Sequence, residues 1–161
     1  MTSALSRISV VLIVRDAAAS LAATLDSVRE FDEVLVFDNG SSDDTLAIAA
    51  RYSNVQIHKG EFKGFGATRN AAAALARNDW VFSLDADEVM SESLAASLAG
   101  LALGDPETAY SVERQNYLLG ARVRFSGWGS QCLTRLYNRT THAFTNVVVH
   151  EKVGLQGGEQ A

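Results

Sequence analysis

The stretch Trp80-Val81-Phe82-Ser83-Leu84-Asp85-Ala86-Asp87-Glu88 decides how this chain is to be read. Val81, Phe82 and Leu84 supply an apolar, β-prone run, and the run stops in Asp85, Asp87 and Glu88. Like charges this close raise one another's pKa unless a cation or a set of donors compensates them. In open α/β sheets ligands bind beyond the carboxyl ends of the strands, which is where these acids fall. Two readings follow. One is a divalent-metal site of hard oxygen ligands, completed by phosphate oxygens. The other is a solvated turn before a helix, where acids favour the positive end of the dipole.

Working outward, strands and helices alternate on the N-terminal side. Ile8 to Val14 is a continuous β-branched run, suited to a strand buried on both faces, and it ends in Arg15-Asp16. Ala18, Leu21, Ala22, Leu25 and Val28 follow helical spacing. Glu33 to Phe37 is a second strand, running into Asp38-Asn39-Gly40-Ser41-Ser42-Asp43, a turn followed by N-cap residues. Leu46, Ala49 and Ala50 mark a short helix, and Asn54 to His58 a third strand. A loop with Gly60, Gly64 and Gly66 leads into an alanine-rich helix expected over Ala67 to Arg77. This repetition predicts an α/β fold with a mostly parallel, right-handed central sheet.

After Glu88 the pattern changes. Leu94, Ala95, Leu98, Leu101 and Ala102 form an amphipathic helix that Gly104-Asp105-Pro106 closes. Strands are expected over Ala109 to Leu118, Gln131 to Tyr137 and Phe144 to Val149, giving a β-rich C-terminal half. Residues 1–161 thus read as one domain with two jobs, a nucleotide-binding half over 1–90 and a β-rich half over 91–153. The segment 154–161 has nothing to bury and reads as a frayed tail or the stump of a longer chain.

The composition narrows the class. A chain of 161 residues with 47% hydrophobic and 20% charged residues suits one soluble domain. A net charge of −5 argues against a nucleic-acid-binding surface. The lone Cys132 rules out an internal disulfide framework; it points to a cytoplasmic protein and is expected as a small core residue. No apolar run approaches the ~20 residues of a membrane span.

The strand-end acids Asp16, Asp38, Asp85 and Asp87 are expected to share one cleft. Lys63 and Arg69, in and after the glycine loop, are placed to meet phosphate or to pair with those acids. For Arg69 a structural salt bridge to Asp38 or Asp85 is the competing role, and both can hold at once. His58 and His142 read as structural or exposed. Trp128, between two glycines, reads either as a stacking platform for an acceptor ligand or as a clamp of a loop on the core.

Taken in order, Ser9 to Ile13, Val36 to Asp43, Gly64-Phe65-Gly66-Ala67-Thr68-Arg69-Asn70, Asp79-Trp80 and Leu84 to Glu88 resemble the family 2 glycosyltransferases of GT-A fold, a Rossmann-like architecture. Arg135-Leu136-Tyr137 and Val149-His150-Glu151 resemble the branch of lipopolysaccharide-core β-glucosyltransferases. The resemblance implies inverting transfer of a hexose, glucose in that branch, from a UDP-sugar to a glycolipid or saccharide acceptor. It implies Mg²⁺ or Mn²⁺ on the Asp-x-Asp pair, an acceptor side in the half over 91–153, and peripheral contact with the cytosolic face of the inner membrane.

Carried over by position, Asp38 recognises uracil, with Asn39 and Gly40 beside it, and Val14 and Arg15 flank the base. Arg69 and Lys63 meet the nucleotide. Asp85 and Ala86 lie at the ribose, Asp87 ligates the metal with Asp85, and His150 neighbours it. Glu151 is the expected base, since inversion needs one opposite the departing diphosphate. The first strand departs from the family in ending Val14-Arg15-Asp16. A nucleotidyltransferase and a non-catalytic nucleotide-sugar-binding domain are the competing classes. The former lacks its glycine-rich signature, since Arg15-Asp16-Ala17-Ala18-Ala19 follows the first strand.

Overall fold

The computed structural model describes residues 3–118, 121–123, 130–145 and 152–156. A short 3₁₀ turn, Ala4–Arg7, leads into β1, Ile8–Val14. Then follow α1 (Leu21–Asp26), β2 (Glu33–Asp38), α2 (Thr45–Ala49), β3 (Val55–Lys59), α3 (Phe65–Ala74) and β4 (Trp80–Ser83). The second half holds α4 (Glu92–Ala99), β5 (Tyr110–Gln115), β6 (Tyr117–Leu118), β7 (Ala121–Arg122), β8 (Ser130–Asn138), β9 (His142–Phe144) and β10 (Val153–Leu155).

The central sheet has the order β3-β2-β1-β4-β8-β5. Its first four strands are parallel, and β8 runs antiparallel to both β4 and β5. From β1 the chain builds outward through β2 and β3, then crosses back to place β4 on the other side of β1. The carboxyl ends of β1 and β4 therefore flank a topological switch point, where two loops leave the sheet in opposite directions.

Period-2 alternation divides the core between the two faces of the sheet. Ile8, Val10, Leu12 and Val14 pack with Val34, Val36, Trp80 and Phe82 on the face that α1 and α4 cover. Val11, Leu35, Phe37 and Val81 pack on the other face against Ala72, Ala73 and Ala76, with Tyr137 and Phe144. The buried alanines let α3 lie close to the sheet. Asn70, a polar residue on this alanine-rich helix, makes two hydrogen bonds to β9. Its side-chain amide donates to the Phe144 carbonyl at 2.9 Å and accepts from the Phe144 amide at 2.8 Å, so α3 carries β9 as a neighbouring strand would.

Several expectations are corrected. Helix α3 spans Phe65–Ala74 instead of Ala67 to Arg77, because the Arg77 amide leaves the helix to donate to the buried Glu33 carboxylate at 2.9 Å. Cys132 is exposed, not a core residue. Only Leu136 to Asn138 of β8 pair with the short β4, so the Ser130 end of β8 projects past β4 and, among the described residues, pairs with β5 alone. The strand expected from Ala109 to Leu118 stops at Gln115, and Tyr117–Leu118 pairs with β7. Gly154 and Leu155 are not frayed, since β10 pairs with β9. His142 is buried, with Nδ1 at 2.9 Å from the Thr141 hydroxyl, a structural role.

The Asn70–Phe144 pair yields a prediction. Asn70→Ala leaves a buried amide and carbonyl without their partner and should destabilise the chain by about 1–3 kcal/mol. Urea unfolding monitored by circular dichroism measures this, and a midpoint equal to the wild type would show that the pair contributes nothing.

Candidate active site

A cleft of about 540 Å³ opens at the switch point, lined by residues 13–17 at the end of β1 and just beyond it, by Phe65 and Arg69 of α3, and by Asp85, Ala86 and Asp87 after β4. Its volume lies within the range of small-molecule sites. Loop geometry fixes each wall.

The acids after β4 form a closed turn. The Glu88 amide donates to the Asp85 carbonyl at 3.0 Å, and the Glu88 carboxylate accepts from the Asp85 amide at 3.1 Å. Ala86 and Asp87 occupy the apex. Helix α1 holds that apex from behind, as the Ser20 and Thr24 hydroxyls donate to the Ala86 carbonyl at 2.8 and 2.9 Å.

Three arginines neutralise the flanks of the turn. Arg69 donates to Asp85 Oδ1 at 2.5 Å and to the Ser83 hydroxyl at 2.8 Å. Arg135, on β8, donates to Asp85 Oδ2 at 3.2 Å and to Glu88 Oε1 at 2.6 Å. Arg114, on β5, reaches Glu88 at 3.5 Å. Burial alone would raise the Asp85 carboxyl, but Arg69 and Arg135 outweigh it and hold the group below its ordinary value of 3.8. The ion pairs win over desolvation here. Asp87 is exposed, and none of the described residues is hydrogen-bonded or ion-paired to it. One carboxylate of the three therefore faces the cleft uncommitted.

The opposite wall is stapled to the loop after β2. Asp16 sits at φ +49°, a left-handed conformation that Asp tolerates better than most residues. Its carboxylate accepts from the Ser42 amide at 2.7 Å, which with the Ser42 hydroxyl holds its pKa below the ordinary value. The Ala17 amide donates to the Thr45 hydroxyl at 2.8 Å, and the Ala18 amide to the Asp43 carboxylate at 3.0 Å. Arg15 is left exposed at the mouth.

The structure thus brings Val14, Arg15, Asp16, Arg69, Asp85, Ala86 and Asp87 into one cleft. Asp38, Asn39, Gly40 and Lys63 stand outside its lining. Asp38 is 2% exposed and accepts from the Gly40 and Ser41 amides of its own turn. Asn39 donates to the Gly60 carbonyl at 3.2 Å, bracing the glycine loop. The Lys63 amide donates to the Thr68 hydroxyl at 2.9 Å, and Lys63 itself is exposed. Glu151, His150 and Trp128 lie outside the described residues. The competing role weighed for Arg69 is present, with Asp85 as its partner.

Sequence reasoning missed the work of Arg135, Glu88, Ser20, Thr24 and Phe65. For Arg135 a signal existed. A charged residue inside the strand pattern Leu133-Thr134-Arg135-Leu136-Tyr137 is buried when the strand is central, and a buried guanidinium requires a carboxylate.

A metal would find no ready-made cage, since no three His, Cys, Asp or Glu side chains gather as ligands among the described residues. That suits Mg²⁺-like ions, which take one or two carboxylates and fill their remaining positions with water and substrate phosphate. Asp87 offers one exposed carboxylate of this kind at the cleft.

The profile of glycosyl transferase family 2 matches residues 9–154. The chain belongs to this family. An uncharacterized glycosyltransferase of Rickettsia felis is 32% identical over 149 residues, 89% of this chain and 52% of its own length. The lipopolysaccharide core biosynthesis glycosyltransferase LpsC of Rhizobium meliloti is 26% identical over 118 residues, covering 70% of this chain and 44% of LpsC. The chain spans about half the length of the relatives it matches. Staphylococcus aureus TarS, solved with UDP, superposes with a TM-score of 0.55 at 22% identity, over 83% of this chain and 47% of that one. The mannosyltransferase PcManGT of Pyrobaculum calidifontis, solved with GDP-Man and Mn²⁺, gives 0.54 at 24% identity, over 64% and 34%. The architecture of this family 2 chain is accordingly the GT-A fold. Among its described residues no helix is long and apolar enough to cross a membrane.

The depressed Asp85 pKa sets a pH dependence. A carboxyl lowered on folding contributes stability above its unfolded value near 3.8, and loses that contribution as pH falls through the lower native value. Thermal melts without divalent ion should show wild type and Asp85→Asn converging below about pH 4, with a constant gap at higher pH. A gap independent of pH down to acid unfolding would contradict the pairing.

Proposed function

We propose that this chain is the donor-binding part of a metal-dependent inverting glycosyltransferase. The reaction moves a hexose, glucose in the branch it resembles, from a UDP-sugar to a glycolipid or other saccharide acceptor of the lipopolysaccharide-core type. The observation that carries this reading is the uncommitted Asp87 carboxylate, set across one cleft from the cationic Arg15 and Arg69 at the switch point of the sheet. A dianionic diphosphate needs this arrangement: fixed positive charge for its oxygens and one free carboxylate for a bridging cation. The UDP-GlcNAc complex of TarS and the GDP-Man and Mn²⁺ complex of PcManGT support it by fold. The name of LpsC supports the acceptor class.

In this reading Val14 and Arg15 lie along the base and Asp38 recognises it, with Asn39 and Gly40 shaping the turn that presents it. Asp85 and Ala86 meet the ribose, Lys63 approaches the nucleotide from the glycine loop, and Arg69 orients the diphosphate. Asp87 would hold Mg²⁺ or Mn²⁺, with Asp85 behind it and His150 as neighbour. Such an ion, when bound, neutralises the charge that grows on the leaving diphosphate. Glu151 takes the proton from the acceptor hydroxyl as that oxygen attacks the anomeric carbon from the face opposite the diphosphate. A glycolipid acceptor of this class would be met on the β-rich side by a cytoplasmic protein in peripheral contact with the cytosolic face of the inner membrane.

Asp87→Ala should keep the fold and abolish the Mn²⁺-dependent part of UDP binding in calorimetry; unchanged affinity would remove the metal role. Glu151→Gln should bind donor normally while transfer falls by about 10²–10⁴-fold, measured by UDP release in the presence of acceptor. Normal turnover would dismiss Glu151 as the base.

A further inference from the structure

Acids at positions 85, 87 and 88 would repel one another, yet Asp85 and Asp87 both line the cleft and, among the described residues, Asp87 is the one of the three with no ion pair. The geometry identifies what separates them. Among the described residues Arg135 is the one cation bonded to both flanking carboxylates, Asp85 and Glu88. Its guanidinium is 8% exposed and also donates to the Ser83 carbonyl at 3.4 Å. It therefore touches the last residue of β4 and both ends of the turn, while standing outside the lining of the cleft. Arg69 and Arg114 each take one of the two acids.

We propose that Arg135 is a positioning residue of the donor site, one that fixes the turn 85–88 from beneath so that Asp87 alone is presented to a divalent cation. The inference rests on the donor-site reading above and extends it to a residue of the opposite half of the chain. Arg135 divides the labour of Asp85. Oδ2 stays on Arg135, anchoring the turn to β8, while Oδ1 lies on Arg69, the arginine that faces the cleft. A guanidinium can do this because its planar fork reaches two carboxylates at once, which an ammonium on a flexible stem does poorly. Without the fork, Glu88 and Asp85 would compete with Asp87 for any cation in the cleft, and the carboxylate geometry would no longer be set before the ligand arrives.

The test separates metal-dependent from metal-independent binding. UDP is titrated by calorimetry, with and without Mn²⁺, into wild type, Arg135→Lys and Arg139→Met. Arg139 follows the same strand but pairs with Asp79 at the other end of the sheet, so its variant sets the level of a purely structural loss. Arg135→Lys should lose about 10–100-fold of the affinity that Mn²⁺ adds, with metal-free UDP binding unchanged. An undiminished Mn²⁺ gain, or an equal loss with and without Mn²⁺, overturns the proposal and leaves the donor-site reading in place. A wild type that fails to bind UDP, or ignores Mn²⁺, overturns the reading and the proposal together. Should Arg135→Lys melt below the assay temperature, the pair Arg135→Gln with Glu88→Gln keeps the net charge of the cluster. The same loss of Mn²⁺ gain is expected there, and its absence overturns the proposal.

Discussion

Charge neutralisation at the end of β4 is the constraint on which the rest of this structure depends. Two carboxylates there are largely withdrawn from water, and burying a charge without a partner is costly. Their partners come from three places: α3, β8 and β5. The site is thus a junction that holds together the parallel half of the sheet, the antiparallel half and one covering helix. Buried ion pairs of this kind add little net stability compared with apolar packing, but removing one partner is costly. That asymmetry makes them effective at enforcing a single arrangement.

Helix α3 serves two purposes through adjacent residues. Arg69 turns toward the acids and Asn70 toward Phe144, while the guanidinium of Arg69 also lies 5.3 Å from the Phe144 ring centroid. One turn of helix therefore couples the cleft wall to β9. The run Gly64 to Asn70 reads in structure as a φ +93° glycine that starts the helix, a hydroxyl that caps the incoming loop and two polar side chains aimed at different neighbours.

Most of the architecture was legible because its signals are local. The apolar run of β1, the turn after Phe37 and the acids after Leu84 each announce a strand end. Parallel pairing of consecutive strands then places those ends on one rim. Tertiary partners were less legible. Nothing near Arg135 in the sequence identifies residues 85 and 88 as its targets, and the exposure of Cys132 depends on how far β8 overhangs β4. Nor did the sequence show that the Asp38 carboxylate accepts from the amides two and three residues on while standing outside the lining of the cleft. Of the four acids expected in one cleft, Asp16, Asp85 and Asp87 line it, since the loops after the adjacent strands β1 and β4 carry them, and Asp38 does not.

The separation of 50 residues between Arg135 and Asp85 has a consequence for how the molecule is assembled. A nascent chain can pair β1 to β4 soon after residue 84 emerges, yet the acidic turn then lacks its second arginine until β8 is synthesised and docks in the reverse direction. Non-local pairings of this sort form late, because chain entropy must be lost before the contact returns anything. The acidic rim of the cleft would be the last part of this fold to set, timed by completion of the antiparallel half.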